Sequence, residues 1–263
     1  MATHTAPILE RIVASRRQWI ARLQASGAAD AFAQSVAAAA PPRGFRRALG
    51  GPGVALIAEC KQRSPSGGVL QAEYDPVAIA RRYVAGGAAA VSVLTEPDFF
   101  GGDLDHLHAV REAVQVPLLC KDFILDPVQL QAARAVGADA VLLIVALLSD
   151  QALSRLSAHA IGLGMDPLVE VHDESELDRA SKLGATMIGI NNRDLSNMLT
   201  DRARTARLRA RIAEDVTVVS ESGIESRADI EQLTRLGVHA ALVGEALLRA
   251  PDLDAKLREL TGR

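Results

Sequence analysis

Five short segments of the 263-residue sequence bring together groups able to exchange protons. They are Glu59-Cys60-Lys61, Lys121-Asp122, Glu170-Val171-His172, Asn191-Asn192-Arg193 and Ser220-Glu221-Ser222-Gly223. Carboxylates, ammonium groups and an amide in one set can serve general acid–base chemistry, in which one side chain donates a proton and another removes one. The usage of cations sharpens this reading. Of 29 basic residues 25 are Arg and four are Lys, at positions 61, 121, 182 and 256. Arg stays protonated in proteins, whereas a Lys can release its proton when burial or another cation lowers its pKa. Lys61 and Lys121 therefore read as proton donors, and Lys182 and Lys256 as surface charge. The plain alternative for any one segment is a charge at a strand-to-loop boundary; five such segments together are harder to explain that way.

Each segment stands where a short apolar run stops. Eight such runs, at 54–59, 88–94, 116–120, 140–145, 168–171, 186–190, 216–219 and 240–243, are each followed by an amphipathic stretch of helical period. The runs look apolar on both faces, as parallel strands covered by helices require. Gly87, Gly137, Gly184 and Gly237 recur 50, 47 and 53 residues apart, each opening a similar apolar fragment. They read as residues that end a helix and lead into a strand, once in every second βα unit of about 25 residues. The predicted fold is α/β, a (β/α)8 TIM barrel, in which catalytic groups project from the C-terminal ends of the strands. An open doubly wound sheet would want G-x-G-x-x-G after its first strand, and Lys61-Gln62-Arg63-Ser64-Pro65-Ser66-Gly67 stands there instead. Strand period two puts Glu59 and Lys61 on one face and turns Cys60, and similarly Cys120, toward the helix layer. Residues 1–48 are read as an N-terminal helical extension and 49–263 as the catalytic barrel, one structural domain overall.

Two glycine bends, Ser222-Gly223-Ile224 and Val243-Gly244-Glu245, follow the last two strands and precede helix starts. Backbone N–H groups at such bends can cradle a phosphate, a location many barrels use. A net charge of −3 and a pI near 6.1 argue against a nucleic-acid-coating surface. Charges at Glu10, Arg11, Arg16 and Arg17 argue against a signal peptide, and the longest apolar run, 140–148, is far below the roughly 20 residues that span a bilayer. Two cysteines point to a reducing compartment, and the expected location is cytoplasmic. No metal is expected: His106 and His108 fall in the helix after the second strand, where residues two apart diverge. His172 is read as a solvated rim residue, and Arg202, Arg204, Arg207, Arg209 and Arg211 as a solvated helix face.

The segment from Ile57 through Ala58-Glu59-Cys60-Lys61-Gln62-Arg63-Ser64-Pro65 to Ser66 resembles the first-strand signature of the indole-3-glycerol-phosphate synthase family. Leu94-Thr95-Glu96 with Phe100-Gly101, Lys121-Asp122-Phe123-Ile124, Leu168-Val169-Glu170-Val171, Gly189-Ile190-Asn191-Asn192-Arg193-Asp194-Leu195, Ser220-Glu221-Ser222-Gly223-Ile224 and Leu242-Val243-Gly244-Glu245 continue the resemblance in order along nearly the whole chain. It implies closure of 1-(2-carboxyphenylamino)-1-deoxyribulose 5-phosphate to an indole, with loss of CO2 and water, in tryptophan biosynthesis. By this resemblance Lys121 matches the general acid on the attacked carbonyl and Glu170 a participant in dehydration. Lys61 matches a residue that contacts the substrate carboxylate and is also argued to be an acid, Glu59 the remaining catalytic glutamate, and Asn191 a further member of that set. Arg193, Ser222, Glu221, Phe100 and Phe123 match substrate-binding positions, and Ser64, Gly223, Gly244 and Glu245 the phosphate site. No cofactor is implied.

The implied partner is a small phosphorylated molecule, with no nucleic acid and no membrane, on a monomer for which contact with other tryptophan-pathway enzymes stays open. The extension resembles a family segment that packs over the barrel mouth; its plain role is to plug the barrel. Asp103, where many members carry Ser, and the stretch 197–202 depart from the family pattern, which bears on the loops after the second and sixth strands. The loop around Gly67-Gly68 is read as a gate. Two alternatives stay open here: another phosphate-binding barrel of amino-acid biosynthesis, such as phosphoribosylanthranilate isomerase, and a barrel that binds a phosphorylated metabolite or a partner enzyme without turnover.

Overall fold

A computed structural model describes residues 8–194 and 198–263; Leu195 and Asn197, noted above, lie outside the described residues. Eight parallel strands, β1 (Ala55–Cys60), β2 (Ala90–Leu94), β3 (Leu118–Lys121), β4 (Ala140–Ile144), β5 (Asp166–Val171), β6 (Met187–Asn191), β7 (Thr217–Glu221) and β8 (Ala240–Val243), pair in sequence order and close on themselves. The barrel closes where Ile57 of β1 pairs with Leu242 of β8 on one side and with Ala90 of β2 on the other. The helices are α1 (Ile8–Ser26), α2 (Ala28–Ala38), α3 (Phe45–Ala48), α4 (Pro76–Ala85), α5 (Pro97–Phe100), α6 (Leu104–Ala113), α7 (Pro127–Ala135), α8 (Asp150–Gly162), α9 (Glu174–Leu183), α10 (Arg204–Arg209), α11 (Arg227–Arg235), α12 (Glu245–Leu248) and α13 (Leu253–Thr261). This is the predicted TIM barrel.

Strand alternation sorts the core into two layers. Leu56, Ala58 and Cys60 of β1 join the layer between strands and helices, while Ile57 belongs to the barrel interior with Leu119, Leu142, Leu168, Val219 and Leu242. Cys120 also lies in the outer layer, as predicted. Burial, and behind it the Asp122 carboxylate, pushes the Cys120 thiol up to about 12, which leaves it an unreactive apolar filler. Local sequence sets the helix starts. Asp75, Glu96 and Asp126 each precede a proline and accept hydrogen bonds from the first turn of α4, α5 and α7. Asp103 accepts from the N–H of Asp105 at 2.9 Å and so caps α6, a task a Ser performs equally well. The four repeated glycines all have positive φ, between 68° and 97°, as residues that end a helix in the left-handed region do.

The extension divides its work between the two ends of the barrel. Ile12 of α1 packs into the inner layer beside Phe123 at the mouth, and α2 runs down α7. Phe45 of α3 and the adjoining Leu49 are fully buried in the same inner layer, while Arg46 binds the first residues of β5 and β7 through Asp166 (2.8 Å) and Thr217 (3.2 Å). The plugging role expected of the N-terminal helix thus belongs to α3, at the floor. Beside it Asp139, wholly buried before β4, accepts from Arg111 at 2.8 and 2.9 Å and from the backbone N–H groups of Arg43 and Leu118 at 2.6 and 2.7 Å. These bonds fasten the linker after α2 to the barrel.

Candidate active site

Period two carries the inward row of each strand past its last apolar residue and onto the mouth. Ile57 is followed on that row by Glu59, Leu119 by Lys121, Leu168 by Glu170, Val219 by Glu221 and Leu242 by Gly244. Five strands thus aim a polar group or a glycine at one point. All residues read from the sequence as catalytic, substrate-binding or phosphate-binding line a single cavity of about 370 Å³ there, within the range of small-molecule sites. The strands run further than the apolar pattern predicted, through Cys60, Lys121, Asn191 and Glu221. Ladder hydrogen bonds come from the backbone and need no apolar side chain.

At the floor of the cavity the ammonium of Lys121 lies 2.9 Å from Glu221 Oε2 and 3.2 Å from Glu170 Oε2. Lys61 Nζ lies 2.6 Å from Glu59 Oε1. Gly189 on β6 makes room for this group, since a methyl there would stand 2.3 Å from Glu221 Oε1. Burial alone would strip the proton from Lys121, but the carboxylates of Glu170, Glu221 and Glu59 outweigh it and hold its pKa above the ordinary lysine value. The lowering considered from sequence does not occur: Lys121 rests as a fully charged acid. The two carboxylates beside it differ. Burial raises both, yet Lys121, His172 and a hydrogen bond from Asn191 bring Glu170 below the ordinary glutamate value. Glu221 is buried and feels both Glu170 and Glu59, and it is pushed up to about 7 despite Lys121.

The upper walls are apolar. Phe100 and Phe123 face each other with ring centres 5.8 Å apart, and Leu9 and Ile12 of α1 close the same side. At the opposite corner Ser222 and Gly223 both adopt left-handed backbone, with φ of 65° and 77°, and Ser222 Oγ donates to Asn191 Oδ1 at 2.9 Å. Ser64 lies at this corner on a short antiparallel pair, Arg63–Ser64 with Gly68–Val69, and accepts from the N–H of Gly67. Glu245 holds two guanidinium groups, Arg249 at 2.9 Å and Arg193 at 3.4 Å, and Arg249 also donates to Gly67 O at 2.8 Å. The hairpin read as a gate is therefore tied to α12 on one side, and through Arg63 to the carbonyls of Pro97 and Asp98 on the other.

Three features were missed or misread from sequence. Arg16 of α1 is buried and pairs with Asp122 at 3.0 Å, next to Lys121, while stacking on Trp19. Its signal lay in the row Ile12–Arg16–Ile20, a charge on the helix's apolar stripe. His172 is not a solvated rim residue, because its ring lies between Glu170 and Glu176. The arginine run is not simply solvated either: Arg202, Arg207 and Arg211 pair with Glu225, Asp201 and Asp178, and Arg204 and Arg209 donate to backbone carbonyls. The ring of His106 packs edge-on against Tyr74.

Comparison with known proteins places this geometry. Residues 9–260 match the family model described as indole-3-glycerol phosphate synthase. The indole-3-glycerol phosphate synthase of Desulfotalea psychrophila is 46% identical over 256 residues, covering 96% of this chain and 98% of that protein. That of Dehalococcoides mccartyi is 51% identical over 223 residues, covering 84% and 86%. Among solved structures, 3-hexulose-6-phosphate synthase superposes with a TM-score of 0.64 at 17% identity, over 80% of this chain and 99% of that one. Thiamine phosphate pyrophosphorylase from Pyrococcus furiosus gives 0.60 at 17%, over 82% and 96%; both likenesses concern the fold alone. The isomerase alternative gives way to these matches, and no helix among the described residues is long and apolar enough to cross a membrane. With a matching family model over nearly its whole length and close relatives on both sequence and coverage, the chain belongs to the indole-3-glycerol phosphate synthase family.

Proposed function

We propose that this chain converts 1-(2-carboxyphenylamino)-1-deoxyribulose 5-phosphate to indole-3-glycerol phosphate, with Lys121 as acid and Glu170 as base. The observation that carries the reading is the Lys121 ammonium held between two buried carboxylates at the floor of a cavity with aromatic walls. The substrate offers a benzene ring, a carboxylate and a phosphate. The ring packs against the wall formed by Phe100 and Phe123, its carboxylate meets Lys61, and the phosphate takes the corner of Ser64, Gly223 and Gly244, with N–H groups as donors. The ring carbon bearing the carboxylate bonds to the sugar carbonyl carbon, and Lys121 protonates the oxygen on which negative charge develops, an assistance worth roughly 10²–10⁴-fold. CO2 then leaves. Loss of water completes the ring: the hydroxyl departs as water with a proton from the second ammonium of the pocket, Lys61, and Glu170 removes a proton from the ring system. Glu59, Glu170 and Glu221 keep the empty pocket from gathering unpaired cations, whose burial is costly.

The reading is tested by mixing purified protein with this substrate and following indole fluorescence. Product should form, and Glu170→Gln should lower kcat by roughly 10²-fold or more while the substrate still binds. No product at saturating substrate would leave a barrel that binds a metabolite without turnover. The phosphate corner has its own test. Alanine at Gly223 would sit in a left-handed conformation costing roughly 1–2 kcal/mol, with its methyl 2.7 Å from Thr200 Cγ2. Gly223→Ala should raise KM roughly tenfold and leave kcat nearly unchanged in steady-state assays; an unchanged KM would remove Gly223 from the phosphate site.

A further inference from the structure

His172 directly follows β5, and its side chain is only 11% exposed. Nδ1 lies 3.0 Å from Glu176 Oε2 on α9, and the same oxygen accepts the backbone N–H of His172 at 2.8 Å. The first turn of α9 therefore fixes the ring. Its other nitrogen, Nε2, lies 3.4 Å from Glu170 Oε1, an ion-pair contact, and makes no hydrogen bond among the described residues. Glu170 is thus flanked on both oxygens, by Lys121 on Oε2 and by the imidazole on Oε1. Among the described residues Glu221 has no such second cationic neighbour, and its Oε1 is buried without a hydrogen-bond partner. Two carboxylates share one ammonium, and the groups around them are unequal.

We propose that His172, oriented by Glu176, is a positioning residue that keeps Glu170 the ionised member of the Glu170–Glu221 pair, so that base and proton carrier are assigned before substrate arrives. This rests on the reading of Glu170 as the base. The charges around the ring support it. Burial opposes protonation of His172, but Glu176 from α9 and Glu170 from its own strand outweigh burial and the opposing Arg204 from α10, so its pKa is raised. Lys121 from β3 and Asn191 from β6 reach Glu170 from its other side. An imidazolium beside Glu170 favours the carboxylate; a neutral side chain there shifts the shared proton toward Glu170 and withdraws the base at low pH.

The test is the pH dependence of kcat and KM for the intact enzyme and for His172→Gln, Glu176→Gln and Glu170→Gln. His172→Gln should move the acid limb of kcat upward by about one pH unit, a roughly tenfold greater loss at the acid end than on the plateau, with KM within about twofold. Glu176→Gln keeps an oxygen for the His172 N–H but removes the charge that holds the imidazolium, so it should shift the limb in the same direction by less. It also carries the test should His172→Gln fail to fold. A uniform loss at every pH, or a change in KM alone, would overturn the proposal and leave His172 a packing residue. Glu170→Gln separates the two levels. Wild-type turnover in that variant would remove the reading of Glu170 and this proposal with it, whereas a dead Glu170→Gln beside an unmoved limb in His172→Gln would remove this proposal alone.

Discussion

Lys121→Met is expected to lower kcat by about 10³-fold, with KM changed far less. The loss has two parts. The proton donor disappears, and Glu170 and Glu221, each about 1% exposed, lose their common counter-charge. Buried carboxylates without a cation take up protons instead of staying ionised, so the same substitution also removes the base. Lys121→Arg separates charge from acidity. Guanidinium satisfies both carboxylates but does not give up its proton, and its planar fork needs space that the cavity floor reserves for the substrate. We expect at least a hundredfold loss in kcat for Lys121→Arg, against no change for Lys182→Arg and Lys256→Arg, a contrast in the range of acid catalysis. Lys182 is exposed on α9, and Lys256 on α13 donates to Glu259 and to the carbonyl of Glu225, contacts an Arg also makes. Steady-state kinetics on the three variants decide the matter; a Lys121→Arg enzyme with half the parental rate would show that position 121 supplies charge only.

The placement of Lys61 and Lys121 at the mouth was legible because it depends on strand period, which a sequence displays. The same holds for the barrel, whose eight apolar runs and four recurring glycines each report local backbone geometry. Partners across the chain were less accessible. Arg16 and Asp122 are 106 residues apart, and only the path of α1 over the mouth brings them together. His172 shows the limit most sharply. It follows Glu170 by two residues, but whether a rim histidine meets water or a carboxylate depends on where α9 begins, and Glu176 four residues on closes that space. The strand ends were drawn one or two residues short for the reverse reason. Apolar pattern reports burial against the core, while Lys121, Asn191 and Glu221 are buried against one another.

The other large effect is expected at the opposite end of the barrel. Asp139→Ala removes the acceptor of the Arg111 guanidinium and of two backbone N–H groups at a site the solvent does not reach. Breaking a buried pair from one side costs about 3–5 kcal/mol, because the remaining charge is left without compensation. For a chain of this size that corresponds to a fall in Tm of roughly 10 °C, measurable by thermal unfolding monitored by circular dichroism. Arg43 adds to the loss. Its guanidinium donates to the carbonyls of Val114 and Val116, and its N–H to Asp139, so the linker that carries α1 to the mouth is released at its lower anchor. Asp139→Asn keeps one acceptor oxygen and the shape of the site, and should fall between the two. Below the unfolding transition both variants should retain kcat and KM within about twofold, since the C-terminal ends of barrel strands carry chemistry and the N-terminal ends stability. An Asp139→Ala protein that unfolds at the parental temperature would refute the anchoring role. One that stays folded but loses kcat would show that the floor and Lys121 are coupled through α1, with Arg16 and Asp122 the contact through which that coupling passes.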